Sequence, residues 1–218
     1  MKTKMKRYLG ASLFLGLILF SHQSYSQASP CQVTETIKDD YSANTLKVRL
    51  RTVCTFDALE TDYQGLFDDY KDNVLEGEDT TKVHSTLEDA FDGLSGVLID
   101  ATLVTKDKNG TLTRRSTHKV AHDGASRVFS QEKTSKVSGT DNATYTRYIE
   151  VLKSLEKKGE ATVFILESEA HVEKPWFAPK GIFTNAAKEG LKESFAKGLS
   201  EELDLILENS VILVKLED

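Results

Sequence analysis

The sequence predicts an α+β fold: a curved antiparallel sheet of about seven strands wrapped on a long C-terminal helix, with a short helical segment after the first strand. Three observations carry this. Two alternating apolar–polar runs, 145–155 and 161–173, are joined by Glu156-Lys157-Lys158-Gly159, a hairpin-length connection. A proline-bracketed corner follows, Lys174-Pro175-Trp176-Phe177-Ala178-Pro179. One amphipathic helical signal then runs from 181 to 209, with Ile182, Phe183, Ala186, Ala187, Leu191, Phe195, Leu199, Leu203, Ile206 and Leu207 on its stripe.

The earlier elements follow in order. Leu46, Val48 and Leu50 alternate with Lys47, Arg49 and Arg51, the pattern of a half-buried strand. Asp57 with Glu60 three residues on reads as a helix start with a capping-box partner. Leu59, Tyr63, Leu66, Phe67, Tyr70 and Val74 form that helix's apolar stripe, and Gly77 marks its end. Residues 83–87 suit a short strand, and 87–94 a helical turn or loop. Strands over 97–106 and 111–121 flank Asp107-Lys108-Asn109-Gly110, whose Asn-Gly pair tolerates the positive φ of a tight hairpin. A strand over 127–137 completes the meander. A helix of this length spans about 43 Å, longer than any strand, so it must lie across the sheet. Residues 211–216 suit either a further strand or a continuation of the helix.

The N-terminus reads as an export signal over residues 1–26. Lys2, Lys4, Lys6 and Arg7 precede an apolar run from Leu9 to Phe20, too short for a comfortable membrane span. Ser24 and Ser26 place small residues at the −3 and −1 positions for cleavage before Gln27; an uncleaved N-terminal anchor is the other reading. Pro30 before Cys31 disfavours lipidation. What remains, about 190 residues, is enough for one domain with a core. It divides into an extension (27–45), the main domain (46–209) and a tail (210–218). The two cysteines, Cys31 and Cys54, in an exported chain read as one disulfide tethering the extension to the first strand. Closing that loop contributes ~3 kcal/mol in the chain-entropy model. This places the protein in the periplasm or outside the cell.

The chain carries a net charge of −6, and loss of four signal-peptide positives takes the mature form to −10. Residues 57–92 alone hold twelve acids against Lys71 and Lys82. Such a surface is wrong for nucleic acid, which requires basic groups to meet phosphate. It suits either a solvated helix face or a basic protein partner. No segment after the signal is long and apolar enough to cross a membrane.

The element order, with the Glu169-Ala170-His171-Val172-Glu173-Lys174-Pro175-Trp176-Phe177-Ala178-Pro179 run leading into Gly181-Ile182-Phe183, resembles the START-like (SRPBCC) superfamily, the helix-grip fold of pollen-allergen, polyketide-cyclase and coenzyme-Q-binding proteins. The resemblance covers about residues 46–209. It implies a cavity between the concave sheet face and the C-terminal helix, used to bind lipids, sterols, polyketides or other apolar ligands. The export signal, the cysteine pair and the acidic first helix depart from that family's usual pattern and argue against a cytosolic cyclisation role.

Catalytic and metal motifs fail on spacing. Gly93-Leu94-Ser95-Gly96 is one residue short of a nucleophile elbow. The 107–110 turn lacks calcium-loop ligands. His118 and His122, four apart on a strand, stand roughly 13 Å apart along the chain, and His171 reads as a strand-end surface residue. The sequence therefore predicts a binding protein, not an enzyme, with no cofactor and no metal. Its ligand-binding set is Phe164, Leu166, Ser168 and Ala170 on the concave face of the last strand, Phe183, Ala186 and Ala187 on the helix, and Tyr148 as a polar hook. Small Ser168, Ala170, Ala186 and Ala187 leave room beneath the helix; either an open pocket or a solid core satisfies the pattern.

Overall fold

The computed structural model describes residues 31–40, 45–57, 59–77, 79–85, 94–107, 110–138, 146–175 and 177–212. The signal segment, Trp176, most of 87–94, the asparagines of the turns at 109 and 142, and the tail beyond 212 lie outside the described residues. The fold is α+β. Eight strands form one antiparallel sheet: β1 (Cys31–Asp40), β2 (Thr45–Asp57), β4 (Asp79–Ser85), β5 (Ser95–Asp107), β6 (Gly110–His122), β7 (Arg127–Ser138), β8 (Thr146–Lys158) and β9 (Ala161–Glu173). Their order is β1-β2-β9-β8-β7-β6-β5-β4. A separate two-stranded pair joins β3 (Leu59–Thr61) to β10 (Ser210–Ile212). The helices among the described residues are α1 (Tyr63–Gly77) and α2 (Lys180–Glu208).

The sheet has one strand more than the alternation predicts. The extension supplies it: Cys31–Asp40 pairs along β2, and the Cys31–Cys54 disulfide joins residues directly opposite in that register. Chain order then carries β2 past α1 to the far edge at β4, and the meander returns until β9 pairs with β2 over Thr45↔Glu173 to Asp57↔Ala161. The β8–β9 hairpin turns through Gly159, whose φ of 66° is the left-handed value that tight hairpins favour in glycine.

Strand alternation sorts the two faces. Val48, Ala170 and Ile149 form one cross-strand row; Leu50, Ser168 and Val151 the next; then Thr52, Leu166 and Lys153; then Cys54, Phe164 and Leu155. This face meets both helices. Tyr63, Leu66, Phe67 and Tyr70 of α1 pack with Val120, Val128, Leu155, Phe164 and Ile206 in the main core, while Leu46, Val48 and Leu50 meet Ala187, Leu191 and Phe195 of α2. The convex face is charged. Glu169 receives Lys47 at 2.6 Å, Arg49 at 2.8 Å and His171 at 2.8 Å. Arg51 pairs with Glu167 and Arg147 with Glu173.

The first helix begins later than Asp57. Residues 59–61 are held in β3 by pairing with β10, so the helix starts at Tyr63 and Asp62 caps it, Oδ1 accepting the Gly65 N–H at 2.9 Å. The chain's end locks this start. The Asn209 carbonyl accepts the Asp62 N–H at 2.8 Å, and the Asn209 amide donates to Asp69 at 2.8 Å. Residues 210–212, just past α2, form a strand, and 213–216 lie outside the described residues.

The corner before α2 is drawn tight by Lys174, whose Nζ donates to the carbonyls of Pro175 and Ala178 at 2.9 and 3.1 Å. Helix α2 lies over the concave face but buries only Glu202 and Ile206. Its long stripe packs on one side and stays half-open elsewhere.

Two helical glycines separate local from tertiary effects. At Gly190 a Cβ meets nothing within 4 Å, whereas at Gly65 it would lie 2.7 Å from Asp62 Oδ2 and 2.9 Å from Asn209 Oδ1. Gly190→Ala is expected to raise unfolding free energy by roughly 1 kcal/mol through helix propensity. Gly65→Ala is expected to lower it by about 1 kcal/mol by displacing the cap. Denaturant unfolding measures both, and equal shifts would refute the contrast.

The convex face generates a pH prediction. Burial pushes the Glu169 carboxyl up, but hydrogen bonds from Lys47, His171 and Arg49 outweigh it and hold the pKa at about 2. A depressed carboxylate pKa stabilises the fold above the unfolded-state value, and that contribution fades as pH falls toward 2. Glu169→Gln is therefore expected to cost about 1–2 kcal/mol at neutral pH. The gap to the parent should close between pH 4.5 and 2. Thermal unfolding of both proteins across that range checks it.

Candidate functional site

Between α2 and the sheet, beside the main core, lies a cavity of about 350 Å³. Its floor comes from Thr146, Ile149, Val151 and Lys153 of β8 and Leu166, Ser168 and Ala170 of β9. Leu191, Ser194, Phe195, Gly198, Glu201 and Glu202 of α2 form the roof, and Arg114 of β6 and Glu132 of β7 close one side. The space exists because α2 presents small side chains, Ser194 and Gly198, over the stretch where the sheet presents Ser168 and Ala170. At Gly198 a Cβ would touch nothing within 4 Å.

One wall is polar and tied together. Lys153 Nζ donates to Glu202 Oε1, and the Tyr70 hydroxyl donates to Glu202 Oε2 at 3.0 Å. The ammonium also sits 5.0 Å above the Tyr70 ring, a cation–π geometry. Tyr70 belongs to the main core and Lys153 lines the cavity, so this trio stands at the boundary between the two. Burial, reinforced by the Glu202 carboxylate, pushes the Tyr70 hydroxyl well above its usual pKa, which keeps it a neutral donor. Across the cavity, Glu132 accepts the Thr134 hydroxyl at 2.6 Å. The lining as a whole combines an apolar bed with a few fixed charges, the composition of a site for a molecule with a greasy body and a polar end.

The structure brings together part of the predicted ligand set. Leu166, Ser168 and Ala170 line the cavity. Phe164 shares their face but is fully buried in the main core. Ala187 packs on Leu46, Val48 and Leu50, Ala186 faces outward, and Phe183 is half-buried; none of the three lines the cavity. The open space lies further along α2 than these residues.

Tyr148 requires a correction. It stands on the convex face, its hydroxyl donating to Glu150 at 2.6 Å and its ring 5.1 Å from His171. Burial and the Glu150 carboxylate push its pKa up to about 12. The strand's alternation places it there: Ile149, Val151, Lys153 and Leu155 face the helix, so Tyr148 faces away, while the register shift between Thr146 and Tyr148 lets Thr146 face inward. The polar group inside is Lys153, with Glu202 opposite. Its sequence signal was a lone lysine in the inward alternation Ile149, Val151, Lys153, Leu155. On the helix the signal was Ser194 and Gly198 interrupting an otherwise large-residue stripe.

Among the described residues no cluster of His, Cys, Asp and Glu could hold a metal ion, and no helix is long and apolar enough to cross a membrane. His122 stacks on Phe67 at 4.1 Å. In the acidic segment, Asp62 caps α1, Asp68 pairs with Lys71 at 2.7 Å and Asp69 accepts from Asn209, so part of that charge serves the fold itself.

No family model matches the chain, and no curated protein matches it in sequence. Among solved structures it is similar to Ara h 8.0201, at 17% identity and a TM-score of 0.26, over 72% of this chain and 99% of that one. It is also similar to norcoclaurine synthase from Thalictrum flavum, at 12% identity and a TM-score of 0.28, over 87% and 99%. At those scores the description of the fold rests on the chain's own strand pairing and helix placement.

The polar wall can be tested directly. Lys153→Met leaves the Glu202 carboxylate in place without its cation and is expected to cost roughly 2–3 kcal/mol. Lys153→Met with Glu202→Leu removes both charges and should recover most of that loss. A double-mutant cycle by denaturant unfolding reads the coupling, and purely additive losses would show that the pair is not coupled.

Proposed function

We propose that the protein is an exported, non-catalytic binding protein for an apolar small molecule, of START-like (SRPBCC) descent, holding its ligand between the sheet and α2. The observation that carries this is the cavity itself. At about 350 Å³ it falls in the range of roughly 300–1,000 Å³ typical of small-molecule sites. Ile149, Val151, Leu166, Ala170, Leu191 and Phe195 give it an apolar bed. Affinity would come mainly from removing apolar ligand surface from water, with Lys153 and Glu202 orienting a polar end. The ligand class is a lipid, an isoprenoid or a molecule of similar character.

One feature supports the non-catalytic reading and another the exported one. Lys153 and Glu202 are engaged with one another, and Glu202 also accepts from Tyr70, so the charged groups are committed to the wall. The Cys31–Cys54 bridge accords with an oxidising compartment, periplasmic or extracellular.

Gently purified protein from the exported fraction is expected to carry an apolar ligand in native mass spectrometry, identifiable after organic extraction. Gly198→Phe projects a ring into the open space, so it should abolish that extra mass while leaving the unfolding midpoint no lower. A parent protein that neither co-purifies with nor takes up any apolar ligand would end the proposal.

A further inference from the structure

The ionisable side chains that line the cavity are the cations Arg114 and Lys153 and the carboxylates Glu132, Glu201 and Glu202. Lys153 and Glu202 neutralise one another. Glu201 stands at the rim, 67% exposed, with Lys197 at 3.8 Å. Arg114 is engaged by groups outside this set. Glu132 is different. Among the described residues it accepts the Thr134 hydroxyl at 2.6 Å, and no cation pairs with it. A carboxylate has room for about four hydrogen bonds, so most of its capacity is left over.

The sheet builds this position. The inward alternation of β7 is Val128, Ser130, Glu132 and Thr134, and the cross-strand row through Glu132 continues to Val151, Ser168 and Leu50. Val151 and Ser168 belong to the cavity floor. The carboxylate therefore rises from the concave face directly beside the apolar bed. An apolar molecule settling on that bed strips water from Glu132, and a charge left dry without a partner is costly. Either the ligand brings the partner or Glu132 opposes binding. A ligand carboxylate would add a like charge. A hydroxyl would supply a hydrogen bond without a countercharge. An ammonium supplies both.

We infer that the ligand is an apolar amine, its ammonium held by Glu132 and its hydrocarbon body lying on Ile149, Val151, Leu166 and Ala170. The inference rests on the carrier reading and narrows it. Lys153 and Glu202, balanced against each other, add no net charge of either sign to compete for the ammonium. Volume narrows the body as well. At the ~30 Å³ share of a water molecule, the cavity of about 350 Å³ holds roughly a dozen non-hydrogen atoms. That fits a single chain or a small ring system and is too little for a two-chain lipid.

Processed protein is titrated by calorimetry with dodecylamine, dodecan-1-ol and dodecanoate, each below its micelle concentration. Dodecylamine is expected to bind about tenfold or more tightly than either of the others. Glu132→Gln keeps an oxygen for the Thr134 hydroxyl and removes the charge. It should weaken dodecylamine about tenfold and leave dodecan-1-ol unchanged. Asp72→Asn removes an equal charge from the exposed side of α1, outside the cavity, and should leave all three affinities unchanged. Gly198→Phe should abolish all three. Dodecan-1-ol or dodecanoate binding as tightly as the amine, or an amine preference that survives Glu132→Gln, would overturn the inference. The carrier reading answers to a different result. Alcohol binding that Gly198→Phe abolishes upholds it whatever the amine does, and failure of all three to bind removes it together with this inference.

Discussion

The pairing of β2 with β9 is the constraint on which the rest depends. It joins the second strand of the sheet to its last, over thirteen residue partners from Thr45↔Glu173 to Asp57↔Ala161. Once that register is set, side-chain alternation has no freedom left. Leu46, Val48, Leu50, Thr52 and Cys54 must join Val172, Ala170, Ser168, Leu166 and Phe164 on the helix side, and Lys47, Arg49 and Arg51 must meet His171, Glu169 and Glu167 on the other. The apolar bed of the cavity and the charge network of the convex face are two readings of one register. A slip of one residue would bury the ion pairs and expose the core.

Within that frame the two helices do different work. Helix α1 fills one half of the concave face with Tyr63, Leu66, Phe67 and Tyr70 and makes a dense core with Ile206. Helix α2 covers the other half with a narrower set of contacts, and the space it fails to fill is the cavity. The two are joined at the chain's end by Asn209, which bonds the start of α1 through its backbone carbonyl and Asp69 through its side chain. Toward its start α2 is held by Ala187, Leu191 and Phe195 on Leu46, Val48 and Leu50, by the Lys192–Glu35 ion pair at 2.9 Å and by the Lys174-braced corner.

Much of this was legible in the sequence because period-two alternation and hairpin turns are local signals. The meander, the long final helix and the concave placement of Leu166, Ser168 and Ala170 follow from patterns a few residues wide. What was not legible depends on partners distant in the chain. The extra strand at Cys31–Asp40 forms because β2 offers it an edge. The helix start moves from Asp57 to Tyr63 because residues 210–212 claim 59–61. Tyr148 sits outside as the alternation of Ile149, Val151, Lys153 and Leu155 requires; what that alternation does not show is the extra residue at Arg147 that turns Thr146 inward. The cavity lies further along α2 than the alanines suggested because openness depends on what both surfaces omit, not on small residues on either one.

The disulfide at Cys31–Cys54 has a consequence beyond its contribution to stability. Without β1, the long β2 would present its backbone groups along a bare edge, an invitation to pairing between chains. Strand β1 covers that edge with a run that includes Thr34, Glu35, Thr36, Lys38, Asp39 and Asp40, a composition poorly suited to recruiting another strand. An edge strand held by a single neighbour is open to fraying, and the covalent bond to Cys54 prevents this one from leaving. The protein's protection against aggregation is in this sense redox-dependent: it is complete only once the Cys31–Cys54 bond has formed.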